Sequence, residues 1–205
     1  AGLLAARSIL DHRPDAEVEI FEKRGDPRSE EISGFRAYSL GLNIRGRSAL
    51  QHWPGSWERV AEKGVLSDKF FLHLGGIQLQ LRANREGGVP TLLIGRNDLC
   101  AVLLEELVER HVKRLTLHFG EALEEVDLAS RRCRTATTSW LSYDDLLGAD
   151  GVNSVVRKAM ATTSEAVDLP GNFKVWVGPC PKKLGSFGGT CHEFQGLDTF
   201  FHSTG

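Results

Sequence analysis

Asp150-Gly151-Val152-Asn153-Ser154-Val155-Val156-Arg157 follows the apolar run Leu146-Leu147-Gly148-Ala149, and this junction decides the fold class. An apolar run over 145–149 that stops at Asp-Gly and resumes as Ser154 to Met160 predicts a strand, a tight turn and a helix. Glycine after aspartate takes turn conformations at no steric cost. The carboxylate then stands at the carboxyl edge of a sheet, where open α/β folds bind ligands. A lone Asp-Gly marks only a turn, but Ser154 and Arg157 add polar groups at helical spacing.

Working outward, the front of the chain has a matching texture. Gly2 to Leu10 is rich in Ala and Leu, good helix formers, and closes on the breaker Asp11-His12-Arg13-Pro14. Residues 16–22 mostly alternate apolar and acidic side chains, which predicts a strand ending in Glu22. In a dinucleotide-binding unit a glycine lets the helix pack tightly, and an acid about 20 residues later accepts a hydrogen bond from a ribose hydroxyl. Gly2 and Glu22 fit that pair, and an ordinary amphipathic helix followed by a strand fits as well. Gly95-Arg96-Asn97-Asp98 places an arginine where a strand-like run meets a helix capped by Asn97 or Asp98. Its planar donors suit phosphate or a heterocycle edge, and equally a solvated surface.

Between these lie other signals. Asn43 to Trp53 predicts a short helix carrying Arg45 and Arg47, ended by Pro54-Gly55. Residues 69–93 read as antiparallel hairpins punctuated by Gly75-Gly76 and Gly87-Gly88. A helix face of Leu99, Val102, Leu103 and Leu107, a strand over Leu115–Phe119 and a hairpin around Ala129–Arg134 follow. The last 45 residues read as short strand-like pieces.

Composition narrows the class of function. With 205 residues, 41% hydrophobic and 25% charged, the chain has the material for a packed core. A formal net charge of −2 argues against nucleic acid or an anionic membrane as partner, so a small molecule is expected. No apolar run is long enough to span a bilayer and no leader stands at the front. Cys100, Cys133, Cys180 and Cys191 form no C-x-x-C pair and read as free thiols in a reducing compartment, such as cytoplasm or an organelle interior. The histidines show no ligand or triad spacing, and His52, Trp53 and Trp57 read either as a ring-stacking set or, at least as often, as a hydrophobic plug. Starting at Ala1 with a helix, the chain is expected to be a piece of something longer.

These motifs, in this order, resemble the FAD-dependent aromatic hydroxylases, and within them the kynurenine 3-monooxygenase branch. The resemblance rests on Ala1-Gly2-Leu3-Leu4-Ala5-Ala6, Phe21-Glu22-Lys23-Arg24, Leu42 through Leu50, Ile94 through Leu99, and Asp150-Gly151 through Arg157. It implies an α/β fold: a Rossmann-like FAD-binding domain with an inserted antiparallel β-sheet substrate domain, incomplete at both ends. Residues 1–68 and 96–160 would be the two parts of the FAD-binding domain, 69–95 the inserted β segment, and 161–205 a partial substrate-domain sheet. Ala1 and Gly2 would lie beside the pyrophosphate, Glu22 on the adenosine ribose, and Phe21, Lys23 and Arg24 near the adenine end. Leu123 would contact the adenine side, Gly41 and Arg96 would approach the flavin, and the turn from Asp150 to Val155 would support phosphates and reductant. FAD with NADPH or NADH, O2 and an aromatic or unsaturated small molecule are the implied partners, with oxygen transferred through a flavin C4a-hydroperoxide and no catalytic side chain or metal required. Where that branch holds its substrate with an arginine and a tyrosine, this chain has Phe70 and Asn84. A flavin-dependent reductase of the same fold and a truncated chain that binds no flavin are the alternatives.

Overall fold

The computed structural model describes residues 1–29, 39–67, 69–74, 77–83, 89–160, 173–179 and 197–203. In chain order they form α1 (Gly2–His12), β1 (Val18–Glu22), β2 (Ser39–Leu42), α2 (Ile44–Gln51), α3 (Ser56–Glu62), β3 (Val65–Ser67), β4 (Lys69–Leu74), β5 (Ile77–Ala83), β6 (Thr91–Gly95), α4 (Arg96–His111), β7 (Leu115–Phe119), β8 (Leu123–Asp127), β9 (Arg132–Thr135), β10 (Leu141–Ser142), α5 (Val155–Ala159), β11 (Phe173–Pro179) and β12 (Leu197–Ser203). Helices and mixed strands make the class α/β. The chain divides into two compact units, Ala1–Glu30 with Leu103–Pro170 and Glu31–Val102 with Gly171–Gly205.

In the first unit, Leu3, Ala6 and Leu10 recur at three- and four-residue spacing and give α1 one apolar face. That face packs with Val18 and Ile20 of β1, Leu107 of α4 and Leu115 of β7. β1 and β7 pair in parallel from Val18↔Leu115 to Glu22↔Phe119. Pro14 bars continuation of α1, and Arg114 takes up the loose carbonyls beyond it. Its guanidinium donates to Leu10 O and Arg13 O at 2.8 Å and to Ala16 O at 3.1 Å, a cation placed where a helix C-terminus favours one. One ion pair lies inside: Arg7 donates to Glu106, and the two side chains are 2% and 3% exposed.

The expected hairpin around 129–134 is the middle of the antiparallel meander β8–β9–β10. Asp127 turns it by accepting from Ala129 N–H at 2.9 Å and from Ser130 N–H and Oγ at 3.1 and 2.6 Å. Cys133 is buried in β9, and burial, with Glu19 nearby, pushes its thiol pKa up. The run over 145–149 corrects the sequence reading, because it is irregular rather than a strand. A Cβ on Gly2 would come within 3.3 Å of Ala149 Cβ, and one on Gly148 within 2.7 Å of Val156 Cβ.

In the second unit, β6 is the centre of an antiparallel β2–β6–β3 sheet, with Leu92 and Ile94 fully buried on alternate positions. β2 and β3 flank β6, which draws residues 39–67 into this unit. The helix expected near 43–53 is α2, capped by Asn43, whose side chain accepts from Arg45 and Gly46 N–H. Helix α3 was not expected. Gly55, at φ +84°, opens it immediately after the Pro-Gly break, and it buries Trp57 and Val60. The tryptophan plug is real in part: Trp57 is 7% exposed with the Arg47 guanidinium 4.7 Å from its ring centre. Helix α4 starts at Arg96, earlier than a cap at Asn97 or Asp98 requires. β6 runs directly into it, and Asp98 lies within its first turn, where the helix dipole favours a carboxylate.

The hairpin β4–β5 is antiparallel with an irregularity between Phe70 and Phe71, and β11 and β12 pair antiparallel from Phe173↔Ser203 to Pro179↔Leu197. Asn84, Cys180 and Cys191 lie outside the described residues; Cys100 and Cys133 form no disulfide. No described helix is long and apolar enough to cross a membrane.

Candidate functional site

Because a short connection returns α1 to β1, the start of α1 and the end of β1 lie at the same edge of the β1–β7 pair. An 11-residue helix is about 16 Å long and a five-residue strand about as long. Gly2 and Glu22 therefore share that edge. The contact between Gly2 and Ala149 brings the Asp150 turn to it too.

The two helix starts at this edge differ. At α5, Asp150 accepts Ser154 Oγ at 2.6 Å on one oxygen and the N–H of Val155 and Val156 at 2.6 and 3.3 Å on the other. Burial pushes its pKa up, but the hydrogen bonds from Ser154 and the backbone outweigh it and hold the carboxyl below its ordinary value. Ser154 Oγ accepts Arg157 N–H at 2.9 Å, and the Arg157 guanidinium donates to the carbonyls of Gly151 and Val152. Asp150, Ser154 and Arg157 thus satisfy one another's turn, with Gly151 at φ +80°. Helix α1 begins at Gly2, and its first turn holds no acid. Its leading N–H groups and the positive end of its dipole lie at the same edge.

Glu22 is half-buried and accepts Arg24 N–H at 3.0 Å on one carboxylate oxygen. Its other oxygen has no hydrogen bond among the described residues. Phe21 stacks on His118, with ring centres 4.4 Å apart and planes 4° from parallel. Lys23 and Arg24 are exposed cations. The loop after β7 holds this strand end: Glu121 N–H donates to Glu22 O at 3.0 Å and Gly120 N–H to Arg24 O at 2.8 Å. Leu123, half-buried, opens β8 two residues later. Gly2, Glu22, the Asp150 turn and the strand leading to Leu123 are thus gathered in the first unit.

Gly41 and Arg96 belong to the second unit. Gly41 faces Leu93 in the β2–β6 ladder, where a Cβ would come within 3.2 Å of Thr91 Cγ2. Arg96 is half-buried at the first position of α4. Sequence reasoning missed Glu121, which is buried and accepts the hydroxyls of Thr135, Thr137 and Thr138 on one oxygen. Partners 14 to 17 positions away leave no local signal. No group of His, Cys, Asp and Glu able to hold a metal occurs among the described residues.

A kynurenine 3-monooxygenase of Stenotrophomonas maltophilia is 34% identical to this chain over 167 residues, which is 78% of the chain and 35% of that enzyme. The chain is a homologue of kynurenine 3-monooxygenases. The enzyme of that name from Xanthomonas axonopodis is 33% identical over 80% of the chain and 36% of its own length. That from Salinispora arenicola is 34% identical over 78% and 36%. The chain therefore spans about a third of the length of these kynurenine 3-monooxygenase relatives. Solved structures give the same fold at lower identity. The Pseudomonas aeruginosa protein PqsL, in complex with 2-aminobenzoylacetate, matches 86% of this chain and 46% of its own at TM-score 0.64 and 18% identity. A 2-methyl-3-hydroxypyridine-5-carboxylic acid oxygenase matches 87% and 42% at TM-score 0.60 and 20% identity. No family model matches the chain.

Proposed function

We propose that the whole protein to which this chain belongs is an FAD-dependent aromatic monooxygenase, using NADPH or NADH and O2 on a small aromatic or unsaturated substrate. The observation that carries this reading is the start of α1, where Gly2 packs on Ala149, beside the Glu22 carboxylate at one sheet edge, in a homologue of kynurenine 3-monooxygenases. The donor set suits an adenine dinucleotide. Leading backbone N–H groups at a helix start favour a pyrophosphate. Gly2 is where a side chain would press on Ala149. A carboxylate with one oxygen uncommitted suits a ribose hydroxyl.

In this reading Ala1 and Gly2 border the pyrophosphate and Glu22 accepts from the ribose. Phe21, Lys23, Arg24 and Leu123 surround the adenine end. Gly41 and Arg96 serve the flavin end, Gly41 by leaving room and Arg96 by charge. Asp150 and Val155 act by shaping their turn, since the Asp150 carboxylate is occupied by α5. When bound, FAD supplies the redox step, passing reducing equivalents from the nicotinamide to O2. Along the chain, residues 1–68 and 96–160 contribute to a Rossmann-like FAD-binding domain, and 69–95 and 161–205 to a substrate-side antiparallel sheet. With Phe70 and Asn84 in place of an arginine and a tyrosine, two groups expected to hold kynurenine are missing, so the reading stops at a small aromatic or unsaturated substrate.

Purified whole protein should carry a flavin absorbance band, or regain one when given FAD, and should consume O2 in step with hydroxylated product when NAD(P)H and an aromatic substrate are added. A folded protein that cannot take up FAD overturns the reading. One that reduces its substrate without consuming O2 is a reductase instead.

A further inference from the structure

We infer that Glu121 is a positioning residue that fixes the adenosine end of the cofactor site, an inference that rests on the FAD reading above. Three observations converge on it. Its backbone N–H holds the Glu22 carbonyl at 3.0 Å, next to the carboxylate assigned to the ribose. Its side chain, 10% exposed, gathers Thr135, Thr137 and Thr138 Oγ1 on one oxygen at 2.5, 2.6 and 3.0 Å, and its other oxygen lies 3.6 Å from His118 Nδ1. Two residues on, Leu123 pairs with Thr135 across β8 and β9.

Glu121 is therefore a bracket between two structures that share no ladder: the end of β1, which presents Phe21, Glu22, Lys23 and Arg24, and the β8–β9 meander, which presents Leu123. Gly120, at φ +72°, gives the sharp bend that lets the loop turn its backbone to β1 and the Glu121 side chain to the threonines. His118 stacks on Phe21 from the same loop base. The hydroxyls of Thr135 and Thr137, and then Thr138, hold the Glu121 carboxyl below its ordinary value against the opposing effect of burial, so the bracket stays charged at neutral pH. Charge-assisted acceptance from several donors at once is strong and directional, which suits a part that sets the distance between two walls of a site. No atom of Glu121 needs to touch the ligand.

The test uses the whole protein stripped of flavin, titrated separately with FAD, ADP and riboflavin, for the native sequence, Glu121→Ala and Glu121→Gln. Glu121→Ala should weaken FAD and ADP by a similar factor of tenfold or more and leave riboflavin affinity within about twofold. Glu121→Gln, which keeps one oxygen for the threonines, should recover most of the loss. If Glu121→Ala is folded and binds FAD and ADP as the native protein does, or loses riboflavin as much as ADP, the inference is wrong while the FAD reading stands. If the native protein binds neither FAD nor ADP, the FAD reading itself falls. Should Glu121→Ala fail to fold, the pair Thr137→Val and Thr138→Val removes two of the three hydroxyls and is judged by the same ratio of ADP to riboflavin affinity.

Discussion

Asp150 and Glu22 are both acids at one edge, yet their carboxylates do different work. The Asp150 oxygens are both taken by the turn and the start of α5, so Asp150→Ala should cost about 1–2 kcal/mol, the loss of an acceptor for the leading N–H groups of a helix capped by Ser154. Its pKa is lower folded than unfolded. Its contribution is therefore complete above the ordinary carboxylate pKa and fades as pH falls through the folded value. Thermal melts of the native protein and Asp150→Asn should differ at pH 7 and converge in strong acid. Glu22→Ala should instead leave the melting temperature of the flavin-free protein nearly unchanged. It should weaken FAD by about ten- to a hundredfold, since a hydrogen bond to a charged group contributes roughly 1.5–3 kcal/mol. A fluorescence titration with FAD checks this. Glu22 was legible in the sequence as a strand-end acid and Asp150 as the acid of a turn, though not of a strand, but which would be consumed by its own turn was not. That depended on Ser154 and the backbone of Val155 meeting the carboxylate in space.

At the scale of elements, two contacts hold the first unit's helices in place. A methyl on Gly148 would meet Val156 Cβ, Cγ1 and Cγ2 at 2.7, 2.9 and 3.1 Å. Gly148→Ala should then destabilise by about 1–3 kcal/mol through overpacking, and Val156→Ala in the same chain should relieve part of it in chemical denaturation. Between α1 and α4, the buried pair Arg7 and Glu106 is costly to halve. Glu106→Ala should lose about 3–5 kcal/mol, while replacing both residues by Leu should cost far less, because no lone charge is left inside. The elements that sequence reading captured, α1, β1, α2, β7 and α5, each carry a self-contained signal: a periodic face, an alternating run or a cap. Those it missed depend on distant partners. β2 and β3 exist because β6 lies between them, α3 is only seven residues long, and the run over 145–149 is mostly exposed and forms no strand.

Across the whole molecule, the α/β class and the gathering of Gly2, Glu22 and the Asp150 turn at one edge follow from order along the chain, which is why they could be read from it. The decisive measurement at this scale is stoichiometry. A monooxygenase should consume about one O2 per NAD(P)H oxidised, with a matching yield of hydroxylated product when coupling is tight, and oxidation without O2 uptake would mark a reductase. One buried atom offers a different use. The Cys133 sulfur sits in β9 with its thiol pKa raised and 5% of the residue exposed, so an alkylating reagent reaches it only when the meander opens. Timed iodoacetamide labelling, read on the peptide containing Cys133, thereby makes the native chain its own stopwatch for local unfolding, with no reporter engineered in.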